Sequence, residues 1–301
     1  MRYLLYRRAG LVVGLCLLLM LPIIGSACTA SGQADAAPPV SGSDVIENKG
    51  SDTLVNLALA WAETYMESHP DVSISVTGGG SGTGIAAMLN GTVDIANASR
   101  AMKDEELKEA EEKQLSPVEF TVAGDAIAVI VNPANPVDRL TLQQISDIYT
   151  GKITNWQQVG GEDRPIVLLS RESNSGTYVY FLENVIRMGD SENDLLFSPD
   201  TLLMPSSEGI GSEVRQNPNA IGYDGLGYVT DDMKMVAVAE GEGKPFVLPS
   251  QSTVLDGTYP IARPLYMYTP VEPEGAIVDY LDWILKDGQA KVSELGFVPI
   301  K

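Results

Sequence analysis

Four short segments of this sequence place small hydroxyl side chains and glycines where a strand hands over to a helix. They are Gly50-Ser51-Asp52-Thr53, Gly80-Ser81-Gly82-Thr83-Gly84, Asn97-Ala98-Ser99-Arg100 and Ser173-Asn174-Ser175-Gly176-Thr177, the last with Arg171 just before it. The first N–H groups of a helix lack intrahelical partners and carry partial positive charge, so such a start is a ready anion site. Glycine lets the backbone approach a ligand, and Ser or Thr hydroxyls add donors. An arginine can offer a planar fork to two oxygens of a tetrahedral oxyanion. One such hydroxyl alone reads as a helix cap. Recurrence at four starts favours a shared oxyanion site.

Other chemistries find little support. One histidine and two cysteines in 301 residues make a His-rich metal site, a zinc site or a His-based triad improbable. The run Gly78 to Gly84 lacks the Lys-Ser/Thr pair of a phosphate-cradling NTPase loop, and Thr83 stands where a nucleophile elbow needs glycine. No catalytic residue, metal ligand or cofactor is expected. Forty acidic against 20 basic residues give a net charge of −20, which argues against nucleic acid as a partner.

The elements that must position the four loops alternate. Val45–Glu47 reads as a strand, and Thr53–Met66 as a helix with Leu54, Leu57, Ala58, Trp61, Ala62 and Tyr65 on one face. A strand over Val72–Thr77 precedes the glycine loop, a short helix over Ile85–Leu89 and a strand over Val93–Ala96. Lys103–Gln114 is a solvated, charge-rich helix, and Phe120–Asn132 a long apolar strand region. Further on come a helix from Thr141 to Tyr149, a strand over Ile166–Leu169 and helices over Thr177–Ile186 and Ser207–Gln216. The glycines of Ile221–Val229 suggest a tight strand pair; Tyr259–Tyr268 is a strand and Ala276–Lys286 a helix. This order argues an α/β fold with a largely parallel sheet.

The amino terminus reads as an address. Arg2, Arg7 and Arg8 precede an apolar run from Leu11 to Ile24, and Gly25-Ser26-Ala27 leads to Cys28. That order predicts a secretory signal over residues 1–27, with Cys28 as the expected site of lipid attachment; an uncleaved anchor is the alternative. Losing three arginines and no acid would take the net charge from −20 to −23. Residues 28–43, small, polar and Pro-containing, form a flexible tether.

The strings Lys49 to Leu57, Thr77 to Ile85, Val93 to Arg100 and Ser170 to Thr177 resemble the phosphate-binding proteins of phosphate ABC importers. Ile148 to Trp156 and Ala220 to Tyr228 are similar to further stretches of that family, in order along the chain. The resemblance implies a two-lobed, periplasmic-binding-protein-like fold (type II), each lobe a sheet flanked by helices. Lobe one would take residues 44–122 and 258–301, and lobe two residues 123–257. It implies a monomeric, non-enzymatic receptor at the outer face of the cytoplasmic membrane, periplasmic or cell-surface, that hands inorganic phosphate to the permease subunits. A receptor for sulfate, molybdate or tungstate, or a phosphate-sensing surface protein, is the alternative.

Matched loop by loop, the phosphate ligands would be Ser51 and Thr53, then Ser81, Gly82 and Thr83, then Ser99 and Arg100, then Arg171, Ser175, Gly176 and Thr177. Some family members carry in the third loop an aspartate that accepts the hydrogen bond of protonated phosphate; this chain has Ser99 there. Asp52, Asp94 and Glu172 are the candidate acceptors in its place.

Overall fold

The computed structural model describes residues 44–300, so the signal, Cys28 and the tether lie outside the described residues. The chain begins with β1 (Asp44–Gly50), α1 (Asp52–Ser68), β2 (Val72–Thr77), α2 (Ser81–Leu89) and β3 (Ile95–Ala98). Helix α1 buries the six residues that its 3.6-residue spacing selects. β1 lies between β2 and β3, parallel to both. α2 starts at Ser81, not at Ile85. Gly80, at φ +90°, turns the backbone there, and its N–H donates to Gly50 O at 2.9 Å. Gly84 then packs so closely on Lys49 and Gly50 that no Cβ would fit. Tertiary contact thus outweighs the poor helix propensity of Ser-Gly-Thr-Gly. Helix α3 (Asp104–Glu112) buries only Ala110, as a solvated helix should.

β4 (Val118–Val131) is the axis of the molecule. Beyond it come β5 (Arg139–Thr141), α4 (Leu142–Tyr149), β6 (Val167–Arg171), α5 (Gly176–Phe181), β7 (Leu202–Met204) and α6 (Ser207–Gln216). β8 (Ala220–Gly225), β9 (Lys234–Met235), β10 (Ala237–Ala239), α7 (Gln251–Leu255), β11 (Ala262–Thr269), α8 (Ala276–Ile284) and α9 (Gln289–Glu294) complete the described chain. The large sheet runs β2-β1-β3-β11-β4-β8-β6-β7, with β9 also on β4; β5 and β10 form a separate parallel pair. Its two wings are parallel, but β11 runs antiparallel to β3 and β4, and β8 antiparallel to β4. The sheet is therefore mixed at its centre, where one long strand serves both wings and the returning strand must run against it.

β4 changes partner in mid-course. It pairs with β11 as far as Ala126 and with β8 from Ile127 onward. The cores divide at the same place. Val122 and Ala123 pack with Leu54, Trp61, Leu265 and Phe297, whereas Ala126 and Ile127 pack with Tyr149, Trp156, Phe181 and Tyr223. Tyr259 and Ile261 belong to the second core, Leu265 and Met267 to the first.

Two local expectations change. Ile221–Val229 is one strand followed by a 3-10 turn (Leu226–Tyr228) rather than a strand pair. A Cβ on Gly227 would collide with Phe297 and with Leu295 O, so that glycine serves close packing rather than a hairpin. The helix expected over Thr177–Ile186 is α5 continued by a π-turn over Leu182–Ile186. Among the described residues, no helix is long and apolar enough to cross a membrane.

Candidate anion-binding site

The four loops converge at the centre of the sheet, where β1, β3, β4 and β6 end or switch partners. Ser51 stands at the N-cap position of α1 without a side-chain cap bond, and its hydroxyl donates instead to Ser99 Oγ at 2.9 Å. Ser99 follows β3; its N–H donates to Ser81 Oγ at 3.0 Å, and the two hydroxyl oxygens lie 3.3 Å apart. Thr53 Oγ1 and Thr177 Oγ1 are hydrogen-bonded at 2.8 Å, one from α1 and the other from α5. Ser51, Thr53, Ser81, Ser99, Ser175 and Thr177 are all buried. Ser175 Oγ caps α5 by accepting from the N–H groups of Thr177 and Tyr178, which leaves its own proton free to donate outward. Gly176 approaches so closely that a Cβ there would lie well inside 3.0 Å of both Ser81 Oγ and Ser99 Oγ.

Gly82 and Thr83 face Asn174 rather than the hydroxyl cluster. Gly82 N–H donates to Asn174 O at 3.0 Å, and Asn174 Nδ2 donates to Gly79 O and Thr83 Oγ1 at 2.8 and 3.3 Å. These bonds join the second loop to the fourth across the site.

Each arginine near the cluster is already paired. Arg171 is 1% exposed; its Nη2 donates to Asp52 Oδ2 at 2.6 Å and to Pro205 O, its Nη1 to Ser207 Oγ and its Nε to Met204 O. Arg100 forms a bidentate pair with Glu106, at 2.7 and 2.6 Å. A third arginine, Arg263 of β11, donates from Nε and Nη2 to Asp125 Oδ2 at 3.2 and 3.0 Å. Its Nη1 donates to Ser99 O, and its Nη2 to Thr177 Oγ1 at 2.9 Å and Thr53 Oγ1 at 3.4 Å. The arrangement combines many short hydroxyl donors with guanidinium groups whose charge is locally cancelled. It can desolvate and hold a small oxyanion without long-range attraction.

Of the proposed proton acceptors, Asp52 is engaged by Arg171, Asp94 accepts from Glu47 N–H at 2.8 Å, and Glu172 is exposed. Two other carboxylates are fully buried. Burial pushes the Asp125 carboxyl up from the ordinary carboxylate range, against the lowering effect of Arg263. Burial pushes Asp224 up to about 6, against the pull of Arg171 and the Ser207 hydrogen bond. Asp224 Oδ1 accepts from Ser207 Oγ and Gly225 N–H, whereas its Oδ2 has no partner. Among the described residues, no group of three or more His, Cys, Asp or Glu is placed to hold a metal ion.

Residues 32–287 match the model of the PBP superfamily domain. The phosphate-binding protein PstS of Pseudomonas aeruginosa is 37% identical over 284 residues, covering 88% of this chain and 85% of its own. PstS of Bacillus subtilis is 31% identical over 288 residues, covering 92% and 90%. The chain belongs to the PstS family of the PBP superfamily. A Clostridium perfringens protein described as a phosphate ABC transporter substrate-binding protein, with phosphate bound in its crystal structure, superposes with a TM-score of 0.77 at 35% identity. That match covers 86% of this chain and all of the other. The fold is thus the periplasmic-binding-protein-like one, and the family is one of solute-binding proteins.

In this PstS-family chain, motif reading overlooked Arg263 and Asp125. Neither lies in a glycine-hydroxyl loop. A signal was nevertheless present: each is a lone charge inside an apolar strand, Asp125 in Val122 to Val131 and Arg263 in Tyr259 to Tyr268. A charge at such a position must find a partner, because burying it alone costs several kcal/mol. Each is the other's partner, with side chains 0% and 1% exposed.

Proposed function

We propose that this chain is an extracytoplasmic receptor that captures inorganic phosphate and delivers it to an ABC importer. The observation that carries the reading is the convergence of hydroxyls from four loops, with Ser51, Ser81 and Ser99 in one chain of contacts and Thr53 and Thr177 in direct contact beside it. The names of its relatives supply the ligand, phosphate. Thr53, Ser81, Ser99, Ser175 and Thr177 would donate hydroxyl protons to the anion. Ser51 would support Ser99, and the backbone of Gly176 would close on the anion where a side chain cannot. Arg171 would complete the fork, and Arg100, Gly82 and Thr83 would frame the second and third loops.

The two cores divided at Ala126 and Ile261 correspond to two lobes in this reading, and β4 and β11 to the hinge between them. Cys28 would carry the lipid that holds the receptor at the outer face of the cytoplasmic membrane. Monomeric action fits a site made wholly from one chain.

A thermal-shift series on the full chain, dialysed free of phosphate, tests the reading. Phosphate, sulfate, molybdate and tungstate are added separately. A ligand at 100 times its dissociation constant stabilises by about 2.7 kcal/mol, which is several degrees for a chain of this size. A shift with phosphate alone is the expected result. A shift with another oxyanion instead would change the substrate, and no shift with any would sink the proposal.

A further inference from the structure

The three arginines around the hydroxyl cluster differ in one respect. Arg171 spends its hydrogen bonds on Asp52, Ser207 and two backbone carbonyls, and Arg100 spends its own on Glu106 and Ala101 O. Arg263 alone of the three donates to hydroxyls of the cluster, Thr53 and Thr177, and these come from opposite wings of the sheet. Its Nη2 has two hydrogens but faces three acceptors: Asp125 Oδ2, Thr177 Oγ1 and Thr53 Oγ1. One threonine donates to the other, so the second keeps a hydroxyl proton that can turn outward. An arriving oxyanion would take that proton and one N–H of the guanidinium together. The same arginine, its side chain 1% exposed, also borders an open groove of about 460 Å³ with Arg100, Lys103, Asp104, Tyr180 and Glu183.

We propose that Arg263 is a direct ligand of the bound oxyanion and that Asp125 is the residue that positions it. The assignment rests on the reading of the cluster as a phosphate site. Asp125 holds Nε and Nη2 from behind, which aims the remaining hydrogens at the cluster, and it cancels the charge so that the empty site is not an unpaired cation. Arg263 thereby links three of the anion loops to the strand at which the sheet changes partner.

The test measures phosphate binding to the full chain by isothermal titration, with folding checked by circular dichroism and by the melting temperature without phosphate. The double variant Arg263→Gln/Asp125→Asn removes both buried charges at once and should weaken phosphate binding by about 100-fold, the loss of a charge-assisted, desolvated donor. Arg263→Lys, which keeps the charge and N–H donors but not the planar fork, should recover part of that loss. Asp125→Asn alone leaves the guanidinium without its counter-ion, and phosphate affinity should then fall more steeply with added sodium chloride than in the wild type. A purely structural role for Asp125 would lower affinity without changing that slope. A folded double variant that binds phosphate as tightly as wild type overturns the assignment, as does an unchanged salt slope for Asp125→Asn. Should the variants not fold, a crystal structure of the full wild-type chain with phosphate decides. A phosphate oxygen within about 3.2 Å of Arg263 Nη1 or Nη2 supports the assignment, and none within hydrogen-bond reach overturns it. Failure of the wild-type chain to bind phosphate would sink the functional reading and this assignment together, whereas normal wild-type binding with unaffected variants sinks the assignment alone.

Discussion

Arg171 Nη2 donates to Asp52 Oδ2 at 2.6 Å, which ties the end of β6 to the first residue of α1 across the hydroxyl cluster. The guanidinium is buried and Asp52 is 16% exposed, so the pair lies partly out of water. Four protein groups share this one fork, in a geometry that a single ammonium cannot copy.

Arg171→Ala should therefore raise the phosphate dissociation constant by about 100-fold or more, and Arg171→Lys should restore little of it. Isothermal titration of both variants checks this. Wild-type affinity in Arg171→Lys would mean that the fork geometry is unimportant.

Two glycines should fail in different ways. Gly176→Ala places a methyl against the buried Ser81 Oγ and Ser99 Oγ, so it should abolish phosphate binding, with a smaller loss of melting temperature without phosphate than at Gly84 because side chains, not backbone, must shift. Gly84→Ala presses instead on the backbone of Lys49 and Gly50, so it should cost about 1–3 kcal/mol of stability, the strain of an overpacked core, and lower the melting temperature accordingly. Melting curves with and without phosphate separate the two. Equal stability losses would show that Gly176 is merely structural.

Asp224 should make stability depend on pH. Its carboxyl is raised to about 6 in the folded state, so the native chain binds this proton more tightly than the unfolded chain does. Below the ordinary carboxylate range the stabilisation is fully present, and it is lost as pH rises through about 6. Asp224→Asn mimics the protonated form and should be more stable than wild type at pH 7.5 but not at pH about 4. Denaturant titrations at the two pH values measure the difference; a gain of equal size at both would rule out this cause.

Phosphate affinity should respond weakly to salt. The overall charge of −20 repels an anion, and Arg100, Arg171 and Arg263 each face a carboxylate, so the attraction is local and short-ranged. Between roughly 0.05 and 0.5 M sodium chloride the dissociation constant should change by less than about threefold. A steep fall in affinity would show that an unbalanced positive field draws the anion in.

Local chemistry made part of this molecule legible in its sequence. The face of α1 follows from a 3.6-residue spacing, the solvated α3 from its run of charges, and the four loops from hydroxyls and glycines at strand-to-helix joints. These depend on neighbours within a few positions, which a sequence displays directly. Only the tertiary structure decided what depends on distant residues. The helix beginning at Ser81 exists because Gly84 can lie against Lys49, and the central antiparallel strands exist because β4 serves two partners. The pairing of Asp125 with Arg263 joins residues far apart in the chain and converts two isolated charges in apolar strands into a buried polar contact beside the hydroxyl cluster. A buried charge announces in the sequence that it needs a partner; which partner it finds is set by which strands the folded sheet brings side by side.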